Sequence, residues 1–107
     1  MSESVAILDE SNFDAMTSKG RWIIDFWAGW CGPCKIMEPH FVAAAKEAGD
    51  EVYFGKVNIE KNYGLVERYN IMSVPTTIFL SNGQVAHASV GALNKQQILQ
   101  LIKDSLR

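Results

Sequence analysis

The sequence predicts an α/β domain: a central mixed five-stranded sheet flanked by four helices, distributed over both faces. Three observations carry that expectation. The run Trp22 to Ala28 is apolar on both faces except at Asp25, the pattern of an inner strand covered by helices on each side. Strand-like and helix-like segments alternate through the early chain, and right-handed crossovers then make the early strands parallel. Two further strand-like runs close around Asn82-Gly83, the strongest short-range hairpin signal, which adds antiparallel strands.

Along the chain, Val5 to Leu8 is the first strand. Ser11 offers an N-cap to a short helix through about Ser18, closed by Gly20. In the second strand, Trp22 to Ala28, alternation puts Asp25 on the face shared by Ile23 and Trp27, so its carboxyl group should point into the protein. After Cys31 a long helix runs to about Ala48 and ends at Gly49. Pro39 inside it should kink it, because proline removes a backbone donor and crowds the preceding turn. Val52 to Ile59 is the third strand, Tyr63 to Tyr69 a short helix, and Thr76 to Leu80 with Val85 to Val90 the hairpin. Asn94 caps the last helix and Gln97 completes a capping box, with Ile98, Leu101, Ile102 and Leu106 as the apolar stripe.

With 107 residues, 48% of them hydrophobic, the chain fits a single domain spanning 1–107, whose core needs neither metal nor disulfide to hold it together. The net charge is −2 and the ten Lys and Arg are scattered, so no nucleic-acid partner is expected. Met1-Ser2-Glu3-Ser4 has no basic region and no long apolar stretch, which argues against a secretory signal or a transit peptide. The apolar runs fall far short of the ~20 residues needed to span a bilayer, so no membrane association is expected. The expected location is the cytoplasm, where thiols are kept reduced.

Two cysteines in that setting point to chemistry or metal before they point to a staple. In Trp30-Cys31-Gly32-Pro33-Cys34-Lys35, Cys31 opens the long helix, whose free N–H groups and partial positive charge favour a thiolate. Pro33 suits the first turn, where its missing donor costs nothing. Cys34 lies one turn further in on the same face, within bonding reach of Cys31. Cys31, at the exposed strand end, should attack; Cys34, partly covered, should resolve the mixed disulfide.

Other uses fit less well. A structural disulfide here closes a four-residue loop worth roughly 2 kcal/mol. Zinc needs about four ligands, and His40 and His87 lie 47 residues apart. Haem attachment fails because residue 35 is Lys, and an iron–sulfur cluster lacks its cysteines. No metal and no bound organic cofactor is expected, only a redox-active disulfide between Cys31 and Cys34.

Asp25-Phe26-Trp27-Ala28-Gly29-Trp30-Cys31-Gly32-Pro33-Cys34-Lys35, then Val74-Pro75-Thr76, then Val90-Gly91-Ala92, resemble in order the active-site signature and two substrate-facing loops of the thioredoxin family. The resemblance covers nearly the whole chain. It implies the thioredoxin fold and a general protein-disulfide oxidoreductase working mainly as a reductase. It also implies an acidified thiol, a property for which thioredoxins are the usual illustration. Asp25 would be a buried carboxyl group relaying a proton to or from Cys34, with Lys56 as its neighbour; a desolvated carboxyl group can exchange protons near neutrality. Pro75 would be cis and lie against the disulfide. Trp30, Gly32, Pro33, Val74, Pro75, Gly91 and Ala92 would form a shallow apolar platform for protein-disulfide substrates.

A thioredoxin-reductase-type donor would recycle the oxidised protein, which is expected to be a monomer. Gly-Pro between the cysteines resembles reducing members, whereas oxidising ones tend to carry His there. The alternatives are an oxidase or isomerase domain, or an interaction module or chaperone-like subunit on the same fold. Three positions depart from the family pattern: Gly29, where relatives carry larger or charged residues; Met72, often basic; and Thr77, usually apolar. They bear on partner preference rather than reaction type.

Overall fold

The computed structural model describes residues 4–106; Met1-Ser2-Glu3, part of the run read for a targeting signal, and Arg107 lie outside the described residues. The elements are β1 (Val5–Leu8), α1 (Phe13–Thr17), β2 (Arg21–Trp27), α2 (Gly32–Ala48), a 3-10 turn (Gly49–Glu51), β3 (Tyr53–Asn58), α3 (Tyr63–Arg68), β4 (Thr76–Ser81), β5 (Gln84–Val90) and α4 (Lys95–Ser105). The five strands form one sheet in the order β1-β3-β2-β4-β5. β3 runs parallel to β1 and β2, whereas β4 is antiparallel to β2 and β5 to β4. This is the expected mixed sheet with four helices.

β2 sits centrally because its side chains are apolar on both faces, and Ile23, Ile24 and Phe26 are fully buried there. Alternation divides the core in two. Ile23 packs with Met37, Phe41, Phe54, Phe79 and Ile98 under α2 and α4. Ile24 and Phe26 pack with Leu8, Phe13, Val57 and Leu65 on the α1 and α3 side. Asp25 shares the Ile23 face, so it lies beneath α2.

The hairpin turn is as its sequence requires. Asn82 and Gly83 both have positive φ, 50° and 82°, as a two-residue type I′ loop demands. Asn82 also clamps the turn before β2: its N–H donates to the Gly20 carbonyl and its Oδ1 accepts from the Gly20 N–H, each at 2.8 Å. The capping box of α4 is present, with Asn94 Oδ1 accepting from Gln97 N–H and Gln97 Oε1 from Asn94 N–H. α2 continues through Pro39 as one 17-residue helix.

One cap differs from expectation. The N-cap of α1 is Asn12, not Ser11, and it makes no side-chain capping bond. The Asp9 carboxylate captures the Ser11 hydroxyl together with the Ser11 and Asn12 N–H groups. A charged acceptor two residues upstream outcompetes a helix start for that hydroxyl.

Candidate active site

β2 ends at Trp27, and the chain turns tightly enough for Cys31 N–H to donate to the Ala28 carbonyl at 3.2 Å. Cys31 is the extended N-cap residue of α2, with Pro33 in the first turn. Its Sγ accepts a hydrogen bond from Cys34 N–H at 3.1 Å. Sulfur thus occupies the place of a capping oxygen at the positive end of a long helix. Cys31 and Cys34 form a disulfide across a Cα separation of 5.3 Å.

The two cysteines do not differ in exposure as the sequence suggested, since each is only 4% exposed. Both are buried in one cluster with Ala28, against which Trp27, Ile59 and Val74 pack. Their surroundings distinguish them instead. Cys31 Sγ meets the helix donor, whereas Cys34 lines a recess of about 270 Å³ together with Asp25, Glu38 and Lys56.

Asp25 is 5% exposed, and its Oδ1 is buried without a hydrogen-bond partner among the described residues. Burial pushes its pKa up from 3.8 to about 7; Lys56 pulls it down, and Glu38 pushes it up. Lys56 stands opposite Asp25 in the β2–β3 register. Its ammonium, however, is bonded to Glu38 at 3.2 Å and lies 5.0 Å over the Trp27 ring. Held there, it moderates the Asp25 carboxyl group without hydrogen-bonding to it.

The Val74–Pro75 peptide is cis. Pro75 carbonyl accepts from Gly91 N–H at 2.9 Å, which joins the 74–76 and 90–92 loops. Gly91 has φ +104°, a conformation that side chains disfavour. Trp30 is 67% exposed, Gly32, Pro33 and Ala92 are exposed, and Val74 and Gly91 are half-buried. Pro75 itself is buried, a departure from its expected place in an exposed platform. It leads directly into β4, whose first five residues are all buried. Val74, from the same loop, packs against the cluster that holds Ala28, Cys31 and Cys34.

Sequence reasoning missed Glu38, although it lies four residues beyond Cys34 on α2 and therefore on the same face. It also missed the exposed Ile36, two residues beyond Cys34 on α2; Val90, in the second substrate-facing loop, is exposed as well. Met72, noted above as a departure, is 84% exposed. Gly29 meets no conformational demand: a Cβ there would find only a Glu60 oxygen at 3.8 Å. Among the described residues no group of three or more His, Cys, Asp and Glu is placed to hold a metal, and no helix is long and apolar enough to cross a membrane.

A family model described as Thioredoxin matches residues 4–104. The chain belongs to the thioredoxin family. It is 36% identical over 97 residues to the thioredoxin of Bacillus subtilis (strain 168), covering 91% of this chain and 93% of that one. The thioredoxin of Mycoplasma pneumoniae (strain ATCC 29342 / M129 / Subtype 1) is 42% identical over 89 residues, covering 83% and 86% respectively. That of Buchnera aphidicola subsp. Acyrthosiphon pisum (strain APS) is 36% identical over 101 residues, covering 92% and 94%. Thioredoxin membership and the Cys31–Cys34 pair make the protein a dithiol–disulfide oxidoreductase, of the protein-disulfide reductase class.

Proposed function

We propose that the protein reduces disulfides in protein substrates with Cys31 as nucleophile, Cys34 as resolving thiol and Asp25 as the proton carrier for Cys34. The observation that carries this reading is the hydrogen bond from Cys34 N–H to Cys31 Sγ at the start of α2. It singles out one sulfur for charge stabilisation.

Cys31 thiolate attacks one sulfur of the substrate disulfide; the S–S bond breaks and the other substrate sulfur leaves as a thiolate. Cys34 gives its proton to the Asp25 carboxylate and attacks Cys31 Sγ. The mixed disulfide breaks, and the second substrate sulfur leaves. Two electrons have passed to the substrate, and the protein holds the Cys31–Cys34 disulfide. A carboxyl group with pKa about 7 can take up and return that proton at neutral pH. Lys56 acts on this step through its charge.

Trp30, Gly32, Pro33, Val74 and Ala92 form the substrate-facing surface, with Pro75 and Gly91 shaping it from below. A thioredoxin-reductase-type donor returns the two electrons. The protein works as a cytoplasmic monomer, one domain over 1–107, without a bound metal or organic cofactor. Reduction of a protein disulfide by wild type, Cys31→Ser and Cys34→Ser tests the assignment. Cys31→Ser should be inactive and Cys34→Ser should accumulate a covalent mixed disulfide. Equal rates in wild type and Cys31→Ser would refute it. A strongly oxidising reduction potential would overturn the reductase direction.

A further inference from the structure

Asp25 and Thr77 stand directly opposite each other across β2 and β4, and residues so paired project to the same face of the sheet. Thr77 is completely buried. Its Oγ1 and Asp25 Oδ1 are the two buried side-chain oxygens without a hydrogen-bond partner among the described residues. A valine would fill the same volume without burying an unpartnered hydroxyl, so packing alone does not account for threonine at this position.

The groups around Asp25 differ from side to side. From β3 it faces Lys56; from α2, the recess it occupies is lined by Cys34, Lys35 and Glu38. From β4 it faces Thr77 in the β2–β4 register, beyond which lies Ser89 of β5. The remaining titratable group over this part of the sheet, His87, packs on the Phe79 ring. Opposed residues in an antiparallel pair have Cβ atoms about 4.5–5.5 Å apart. That spacing brings a hydroxyl within reach of a carboxylate by one χ1 rotation or through one buried water.

We infer that the Thr77 hydroxyl donates a hydrogen bond to the ionised Asp25 carboxyl group, which makes Thr77 a positioning residue for proton transfer at Cys34. The inference rests on the proposed role of Asp25. A hydroxyl can donate to the carboxylate and turn to accept from the protonated acid, so it has a partner in both states. The bond to the charged form is the stronger. Thr77 therefore acts in the same direction as Lys56, favouring ionisation, but adds no charge.

The test is a carboxyl-carbon NMR titration of Asp25 in the oxidised full-length protein, comparing wild type, Thr77→Val and Thr77→Ser. Thr77→Val should raise the Asp25 midpoint by about one pH unit, a tenfold change in proton affinity, and Thr77→Ser should restore it. An unchanged midpoint in Thr77→Val, or no restoration by Thr77→Ser, would overturn the inference. Asp25→Asn supplies the control through the pH profile of protein-disulfide reduction. If that profile moves in Asp25→Asn while the Thr77→Val midpoint stays put, the Thr77 inference alone fails. If the profile does not move in Asp25→Asn, the proton-carrier reading of Asp25 fails and takes the Thr77 role with it.

Discussion

Replacing Asp25 with asparagine should make the oxidised protein more resistant to unfolding at pH 8 and remove most of the pH dependence of its stability. Burial raises the carboxyl pKa from 3.8 to about 7, so between those values the folded protein keeps a proton that the unfolded chain has lost. Below pH 3.8 both forms are protonated and the group has no effect. Stability falls as pH rises from there to about 7 and remains low above it. At about 1.36 kcal/mol per pH unit, that interval amounts to about 4 kcal/mol. Asparagine leaves a buried amide whose pairing differs from that of a carboxylic acid, an offset of about 1–3 kcal/mol that does not vary with pH. The slope therefore isolates the ionisation. Urea unfolding under non-oxidising-exchange conditions, with the disulfide intact, should be run from pH 4 to 9 on both proteins. The curves should diverge by about 4 kcal/mol across that range, to the variant's advantage. Parallel curves would show that Asp25 ionises in the fold as it does in the unfolded chain, and the reasoning would fail.

Lys56→Met should push the Asp25 midpoint above 7 and Glu38→Gln should bring it below, because the two charges act on the carboxyl group with opposite sign; carboxyl NMR titration reads both. Gly91→Ala should cost at least about 1 kcal/mol in chemical denaturation, since φ at Gly91 is +104°. It should also slow protein-disulfide reduction by displacing the N–H that holds the Pro75 carbonyl. Asn94→Ala removes the side-chain oxygen that accepts from Gln97 N–H in the α4 capping box, leaving the backbone bond to Gln97 Oε1, and should cost about 1 kcal/mol, seen as a lower thermal midpoint with reduction activity unchanged.

What the sequence disclosed was mostly what alternation and local turn chemistry control. The inward direction of Asp25 followed from period-two patterning on β2, the Asn82-Gly83 turn from its need for positive φ, and the α4 start from two side chains three residues apart. The Asp9 turn was missed because several local acceptors compete for one hydroxyl and the sequence does not rank them. The near-equal burial of Cys31 and Cys34 arises in a cluster with Ala28 against which Ile59 and Val74, distant in sequence, are packed. Strand-to-strand register is not written in the pattern of any single strand. The family resemblance placed Lys56 beside Asp25, but that Thr77 stands on its other side became visible only with the sheet assembled. The cis peptide before Pro75 came from the family resemblance, not from the residues themselves.

Cys31 in the capping position of α2 sets a limit on the protein as well as a capability. In the disulfide its sulfur is neutral, whereas in the dithiol form it can carry a full charge against the same N–H groups. The helix start therefore lowers the energy of the reduced protein and leaves the oxidised one almost untouched. A protein more comfortable when reduced gives up electrons less readily: each tenfold gain in the stability of the reduced form costs about 30 mV of driving force. Speed of attack and strength as an electron donor thus draw on the same few backbone hydrogens in opposite directions. The turn that carries Cys31 into α2 fixes where this chain settles between them.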